Sequence, residues 1–264
     1  MLTSLLLAIV LPIYTFFAGV AGIPYALVTG NSLVLYWLGR LGVRIGFWLA
    51  RIRIVTHGDE KLGANPHFIF MMNHNSNLDV PAVWIQLPGP VRVLGKKELF
   101  RLPVLATAMR LGGFVPVDRT NRESAVESVK RAAALAAAGD SFLIAPEGTR
   151  SRTGDLLSFK KGGFHMAIDA QVPILPITVT GAFELMPPGS FAIRSGTVEI
   201  FFHDPVSTAG LEPKDRVLLM KRVRAPIEET LRRHRPGESF GQEEKRMETT
   251  SIDIEAKALV ASKD

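Results

Sequence analysis

No Asp, Glu, Lys or Arg occurs before Arg40, and from Met1 to Val28 the chain is almost wholly apolar. Roughly 20 apolar residues suffice for a helix to span a bilayer, so this run is long enough to do so. The core helices of soluble proteins seldom continue so far without a charge, because one face normally meets water. After Thr29, Gly30 and Asn31 a second apolar run, Ser32 to Ala50, carries Tyr36, Trp37 and Trp48 and is interrupted only by Arg40 and Arg44. Two membrane arrangements fit. One is a helical hairpin dipped into a single leaflet, with these aromatic and Arg side chains at the headgroup level. The other is a span by the first run, with Arg40, Arg44, Arg51 and Arg53 holding the bulk of the chain in the cytoplasm. A pair of buried core helices is the remaining reading. A secretory leader carries positive charge ahead of its apolar stretch; none is present here, so an anchor is expected rather than a cleaved segment.

From Arg51 onward, short β-branched or apolar runs alternate with helical ones, as in a soluble α/β domain. Strands are expected at Ile52 to Thr56, Phe68 to Met72, Val91 to Leu94, Gly113 to Val117, Ser141 to Ala145, Ile174 to Thr180 and Val198 to Phe202. Helices are expected at Val80 to Gln86, Pro103 to Leu111, Arg122 to Ala138 and Gly162 to Asp169. The fold class is therefore α/β: a largely parallel mixed sheet flanked by helices, preceded by an N-terminal apolar two-helix membrane anchor. Residues 1–50 form the anchor, 51–234 the α/β domain, and 235–264 a charged tail expected to be mobile. Within the domain, Pro213 to Arg233 reads as a basic amphipathic helix with a kink at Pro226. With no Cys anywhere, a disulfide framework, a thiolate metal site and a cysteine nucleophile are excluded.

In such a sheet, ligands bind beyond the carboxyl ends of the strands, and polar segments stand there. The second strand runs into Asn73-His74-Asn75-Ser76-Asn77-Leu78-Asp79. His74 and Asp79 are about 140° apart on a regular helix, so they meet only if His74 sits in the turn and Asp79 opens the next helix. A carboxylate there can hold one ring nitrogen while the other takes a proton from an alcohol. Taken alone, the same residues also read as a helix cap and a hydrogen-bonded turn histidine. Ala145-Pro146-Glu147-Gly148-Thr149-Arg150-Ser151 also follows an apolar strand, with a flexible Gly, two hydroxyls and an Arg fork suited to phosphate. Phe114-Val115-Pro116-Val117-Asp118-Arg119 ends a strand in an Asp-Arg pair, which also fits a surface ion pair. Val172-Pro173-Ile174-Leu175-Pro176 has two prolines three apart, which argues for an extended wall rather than a central paired strand.

These four segments, in this order, resemble the glycerolipid acyltransferase family, and within it the 1-acyl-sn-glycerol-3-phosphate acyltransferases. The family's Asn-His-x4-Asp block is matched by Asn73, His74 and Asp79, its Glu-Gly-Thr-Arg block by Glu147 to Arg150, and its Val-Pro-Ile-x-Pro block by Val172 to Pro176. Its Phe-x-x-Arg block is matched with two extra residues before Asp118-Arg119. The resemblance runs from about Gly58 to Phe202.

It implies transfer of a fatty acyl group from acyl-CoA or acyl carrier protein, as co-substrate, to the 2-hydroxyl of lysophosphatidic acid, giving phosphatidic acid. His74 would be the general base and Asp79 its orienting partner. Asn73, Arg119, Glu147, Gly148, Thr149 and Arg150 would bind substrate, with Glu147 on a free hydroxyl and the Arg residues on the phosphate. Lys96 and Lys161, with neighbouring Lys97 and Lys160, would add cations. Backbone amides near Gly148, or at the helix start after Asn75, would hold the oxyanion. No metal or cofactor is called for. Membrane phospholipid is the expected partner and nucleic acid is not, since between Arg40 and Gly210 there are 19 Lys and Arg against 14 Asp and Glu but no aromatic-basic binding motif. Other acceptors (glycerol-3-phosphate, a lysophospholipid, a lyso-aminolipid) and a non-catalytic lipid-binding scaffold remain open. A serine hydrolase is disfavoured, because no Gly-x-Ser-x-Gly elbow is present.

Overall fold

The structure is a computed structural model that describes residues 2–64 and 67–234; the tail expected at 235–264 lies outside them. In chain order the elements are α1 (Leu2–Thr29), α2 (Leu33–Leu49), β1 (Ile52–His57), β2 (Ile69–Met72), α3 (Asp79–Trp84), β3 (Val91–Lys96), α4 (Pro103–Leu111) and β4 (Val115–Val117). There follow α5 (Arg122–Ala137), β5 (Ser141–Ile144), α6 (Gly162–Ala170), β6 (Ile174–Thr180), α7 (Ala182–Leu185), β7 (Gly196–Phe202) and α8 (Arg216–His234). All seven expected strands form. α7 and three short 3-10 turns were not anticipated, being too brief for a hydrophobic period to show. α8 continues through Pro226 as one helix.

The seven strands make one sheet in the order β1-β7-β6-β2-β5-β3-β4, parallel throughout except where β6 meets β7. Strands of a sheet covered on both faces are apolar along their whole length rather than alternating, and β2, β5 and β6 are buried at every residue. Alternate side chains divide between two cores. Phe70, Met72, Leu143 and Ile177 face α3 and the N-terminal helices, while Ile69, Met71, Phe142 and Ile144 face α5, α6 and α8. Carboxyl ends of four adjacent parallel strands, β2, β5, β3 and β4, therefore lie along one edge. The polar segments leave the sheet there.

The Val172–Pro176 segment departs from expectation. β6 is an interior strand, paired with β2 on one side and β7 on the other. Its prolines are tolerated because each stands where only a carbonyl is needed. Pro173 O accepts from Ile69 N, and Pro176 O accepts from His203 N just past the last residue of β7 paired with β6.

α1 and α2 pack as an antiparallel hairpin through glycines. A Cβ at Gly22 would stand 2.7 Å from Leu35, one at Gly42 2.6 Å from Tyr14 and one at Gly19 2.0 Å from Val104 of α4. The outer side of α1 exposes Leu5, Ile9, Ile13, Phe16, Phe17 and Leu27, and it is the one helix among the described residues long and apolar enough to cross a membrane.

Arg40 and Tyr36 turn into the protein instead of outward, where the sequence reading puts them. Both are buried. The Arg40 guanidinium donates to Leu87 O (2.8 Å), to Ile85 O and to the Tyr36 hydroxyl oxygen (3.0 Å), while Tyr36 itself donates to Gly89 O. These carbonyls end α3, where a cation also complements the helix dipole. Trp37 and Trp48 do remain exposed. Replacing Arg40 by Ala strips a charged donor from two buried carbonyls and is expected to cost about 3 kcal/mol. Denaturant melting of the detergent-solubilised protein checks this; an unchanged midpoint contradicts the clamp.

Candidate active site

At the end of β2 the chain turns so that the His74 Nδ1 lies 3.0 Å from Asp79 Oδ2. Asp79 opens α3 and is fully buried. The same oxygen accepts from the amides of Asn75 (2.7 Å) and Ser76 (2.7 Å), so the carboxylate folds the turn back on itself. A carboxylate receiving Nδ1–H fixes the tautomer that leaves the Nε2 lone pair free. Nε2 has no partner among the described residues, and the His74 side chain is partly exposed at the rim.

The turn is bolted to the segment after β5. His74 N donates to Glu147 Oε1 (2.6 Å), Ser151 N donates to His74 O (2.9 Å), and Leu157 N donates to Glu147 Oε2 (2.8 Å). Glu147 is buried with each oxygen on a backbone amide. It braces the turn beneath the histidine, with both oxygens that the sequence suggests for a substrate hydroxyl accepting from backbone amides here. Arg224 of α8 supports the brace by donating to Leu156 O and Leu157 O (3.2 and 2.8 Å), a contribution invisible in the local sequence. Asn73 is engaged likewise. It is buried, and its amide both donates to Val179 O (2.9 Å) and accepts from Val179 N (2.7 Å), which clips β2 to β6.

Burial pushes the Glu147 carboxyl up to about 8, helped by the Asp79 charge and opposed by the two amides and Arg224. A group protonated when folded and ionised when unfolded makes stability fall as pH rises, here from about 4.5 to about 8. Burial has the opposite consequence for His203, whose pKa drops to about 4; its contribution grows up to about 6.5 and is then complete. Only the Glu147 effect is still changing between pH 6.5 and 8. Thermal melts should lose stability over that interval, and Glu147→Gln should flatten the loss; a wild-type curve level from 6.5 to 8 contradicts the buried proton.

The remaining predicted residues fall around the dyad unevenly. Arg150 reaches the turn, donating to Asn77 Oδ1 (2.7 Å), so its guanidinium borders the His74 loop, while Arg119 donates to the Gly148 carbonyl on the neighbouring loop. Asp118 pairs not with Arg119 but with Lys97, whose ammonium holds its carboxyl well below the usual range. Thr149 is exposed at the tip of the loop. Gly148 adopts φ +72°, and a Cβ there would stand 3.2 Å from Lys160 Cγ, which places Lys160 rather than Lys161 against this loop. Lys161 is exposed at the start of α6, and exposed Lys96 lies 3.7 Å from Glu98. Three amides at the expected oxyanion sites are spent: Asn75 N and Ser76 N on Asp79, and Gly148 N on Ala145 O. Among the described residues the amides of Asn77, Thr149 and Arg150 have no internal acceptor, and they lie on the same two loops.

Beside the dyad, an apolar chamber of about 390 Å³ lies between the hairpin and the domain, walled by Leu11, Tyr14, Phe47, Trp84 and Val104 and reaching Leu78 and Pro81 on either side of Asp79. Its apolar lining suits a hydrocarbon chain.

Comparison with known proteins agrees with this layout. The acyltransferase family model matches residues 53–180. The human 1-acyl-sn-glycerol-3-phosphate acyltransferase alpha is 31% identical over 209 residues, which cover 79% of this chain and 74% of that protein. The coconut (Cocos nucifera) 1-acyl-sn-glycerol-3-phosphate acyltransferase is 31% identical over 186 residues; 70% of this chain is covered, and the chain spans 58% of that protein's length. The crystal structure of the 1-acyl-sn-glycerophosphate acyltransferase from Thermotoga maritima superposes with a TM-score of 0.69 at 24% identity, covering 87% of this chain and 97% of that one. The fold, the order of the four segments and the matches to these relatives agree: the chain belongs to the acyltransferase family that contains the 1-acyl-sn-glycerol-3-phosphate acyltransferases.

Proposed function

We propose that this protein transfers a fatty acyl group from a thioester to the 2-hydroxyl of 1-acyl-glycerol-3-phosphate. The observation that carries the reading is the His74–Asp79 pair, with Arg150 on its own loop, Arg119 on the neighbouring Gly148 loop, and an apolar chamber that reaches Leu78 and Pro81 on either side of Asp79. His74 Nε2 takes the hydroxyl proton as the oxygen attacks the thioester carbonyl, and Asp79 stabilises the imidazolium that forms. The tetrahedral oxyanion is held by the free amides of the two loops. Its collapse expels the thiolate, which recovers the proton from His74, so C–O forms, C–S breaks, and no acyl-enzyme intervenes. Arg150 and Arg119 face the acceptor phosphate, for which their planar donors are suited, and the chamber takes acyl chain. The donor is acyl-CoA or acyl carrier protein, and no metal or cofactor takes part.

The reading includes attachment to a membrane through residues 1–50, with the domain of residues 51–234 on the cytoplasmic face. α1 is docked to the domain from Ser4, which accepts from Ile193 N, to Gly19 against Val104, about 22 Å of helix. A helix held so far along its length favours the hairpin lying in the near leaflet over an upright span. Purified protein given one acyl-CoA and a panel of acceptors tests the assignment. 1-Acyl-glycerol-3-phosphate should be the best acceptor; preference for a lyso-aminolipid or for water overturns it.

A further inference from the structure

We propose that the loop between α7 and β7, residues 186–195, is a second bilayer contact, whose tip residue Phe191 enters the lipid interface beside the N-terminus of α1. The proposal rests on the membrane attachment inferred above, and not on the identity of the acceptor. Phe191 is 90% exposed, more than any other large apolar side chain among the described residues. An aromatic ring so placed is informative when the backbone holds it there, and this backbone does. Arg194 N donates to Leu185 O and closes the neck. Ser190 N donates to Pro187 O across Pro188 and Gly189, with Gly189 at φ +84°, the arrangement of a type II turn. Ala192 N then donates to Ser190 Oγ. Two prolines and three closing bonds present the ring with little conformational freedom left to lose on insertion.

Position identifies the occupant. Ile193 N donates to Ser4 Oγ (2.9 Å), so the loop adjoins the first turns of α1, where Leu5, Leu6 and Ile9 face outward. The apolar surface is thus continuous from the helix that meets lipid onto the loop, and exposed Arg194 adds a cation suited to an anionic headgroup. At its other end, Met186 O accepts from Ser76 Oγ (2.7 Å), a buried residue of the catalytic turn. Lipid engaged by Phe191 therefore sits one loop away from His74, on the path by which a lysolipid leaves the bilayer.

The absence of cysteine permits a clean test. Phe191→Cys and, as a control on the opposite face of the sheet, Ala137→Cys are made in the full chain, labelled with an environment-sensitive fluorophore, and mixed with phosphatidylcholine–phosphatidylglycerol vesicles. The label at 191 should shift to the blue and be quenched by spin-labelled acyl chains, with the label at 137 unmoved and still quenched by aqueous iodide. A chain that sediments with vesicles while its label at 191 stays in water, or shifts no more than that at 137, overturns the loop contact alone. A chain that does not sediment overturns it together with the membrane attachment.

Discussion

His74→Ala is expected to lower kcat about 10³-fold, the contribution of a positioned general base, while leaving fold and vesicle binding intact. The expectation follows from geometry: the ring's Nδ1 is held by Asp79, its Nε2 has no partner among the described residues, and its side chain is partly exposed. Little packing is lost with it, so stability should move by under about 1 kcal/mol. Turnover against thermal midpoint separates the two effects. A variant that keeps turnover would mean that the acceptor hydroxyl is deprotonated elsewhere.

Asp79→Asn should do damage of a different kind. Oδ2 accepts from the His74 ring and from two backbone amides, all at 2.7 to 3.0 Å. An amide of the same shape can place its one oxygen on the same three donors, but without the negative charge it accepts more weakly from each and cannot balance an imidazolium. The expected result is a fall in kcat of about 10²-fold or more, with a destabilisation of about 2 kcal/mol from the weakened charge-assisted bonds. Asp79→Ala should be less stable still. Parallel measurement of kcat and melting for the Asn variant checks both effects, and wild-type values for both contradict the coupled role.

Much of this was legible in the sequence because it depends on short-range pattern. Each strand is an apolar, β-branched run between turn residues, and the polar segments announced themselves by following those runs. What escaped depends on partners far along the chain. A lone Arg in an apolar helix reads as one reaching for lipid, yet Arg40 turns inward to carbonyls 45 and 47 residues away. Glu147 beside Gly, Thr and Arg reads as a ligand, and only the fold shows that His74 and Leu157 take up its oxygens. Asn73 belongs to the same class, its amide spent on a residue 106 positions away. In each case the residue type was read correctly as polar and purposeful. Its direction was set by tertiary structure.

The central claim is direct acyl transfer to a 2-hydroxyl, and positional analysis of the product tests it most directly. Purified protein is given isotopically labelled acyl-CoA and 1-acyl-glycerol-3-phosphate in vesicles, and the diacyl product is split by a lipase specific for position 2. The account predicts that the labelled chain is released entirely from position 2, with no label retained on the protein. Label at position 1, label appearing as free fatty acid without a diacyl product, or a labelled protein intermediate that is chased into product would contradict it.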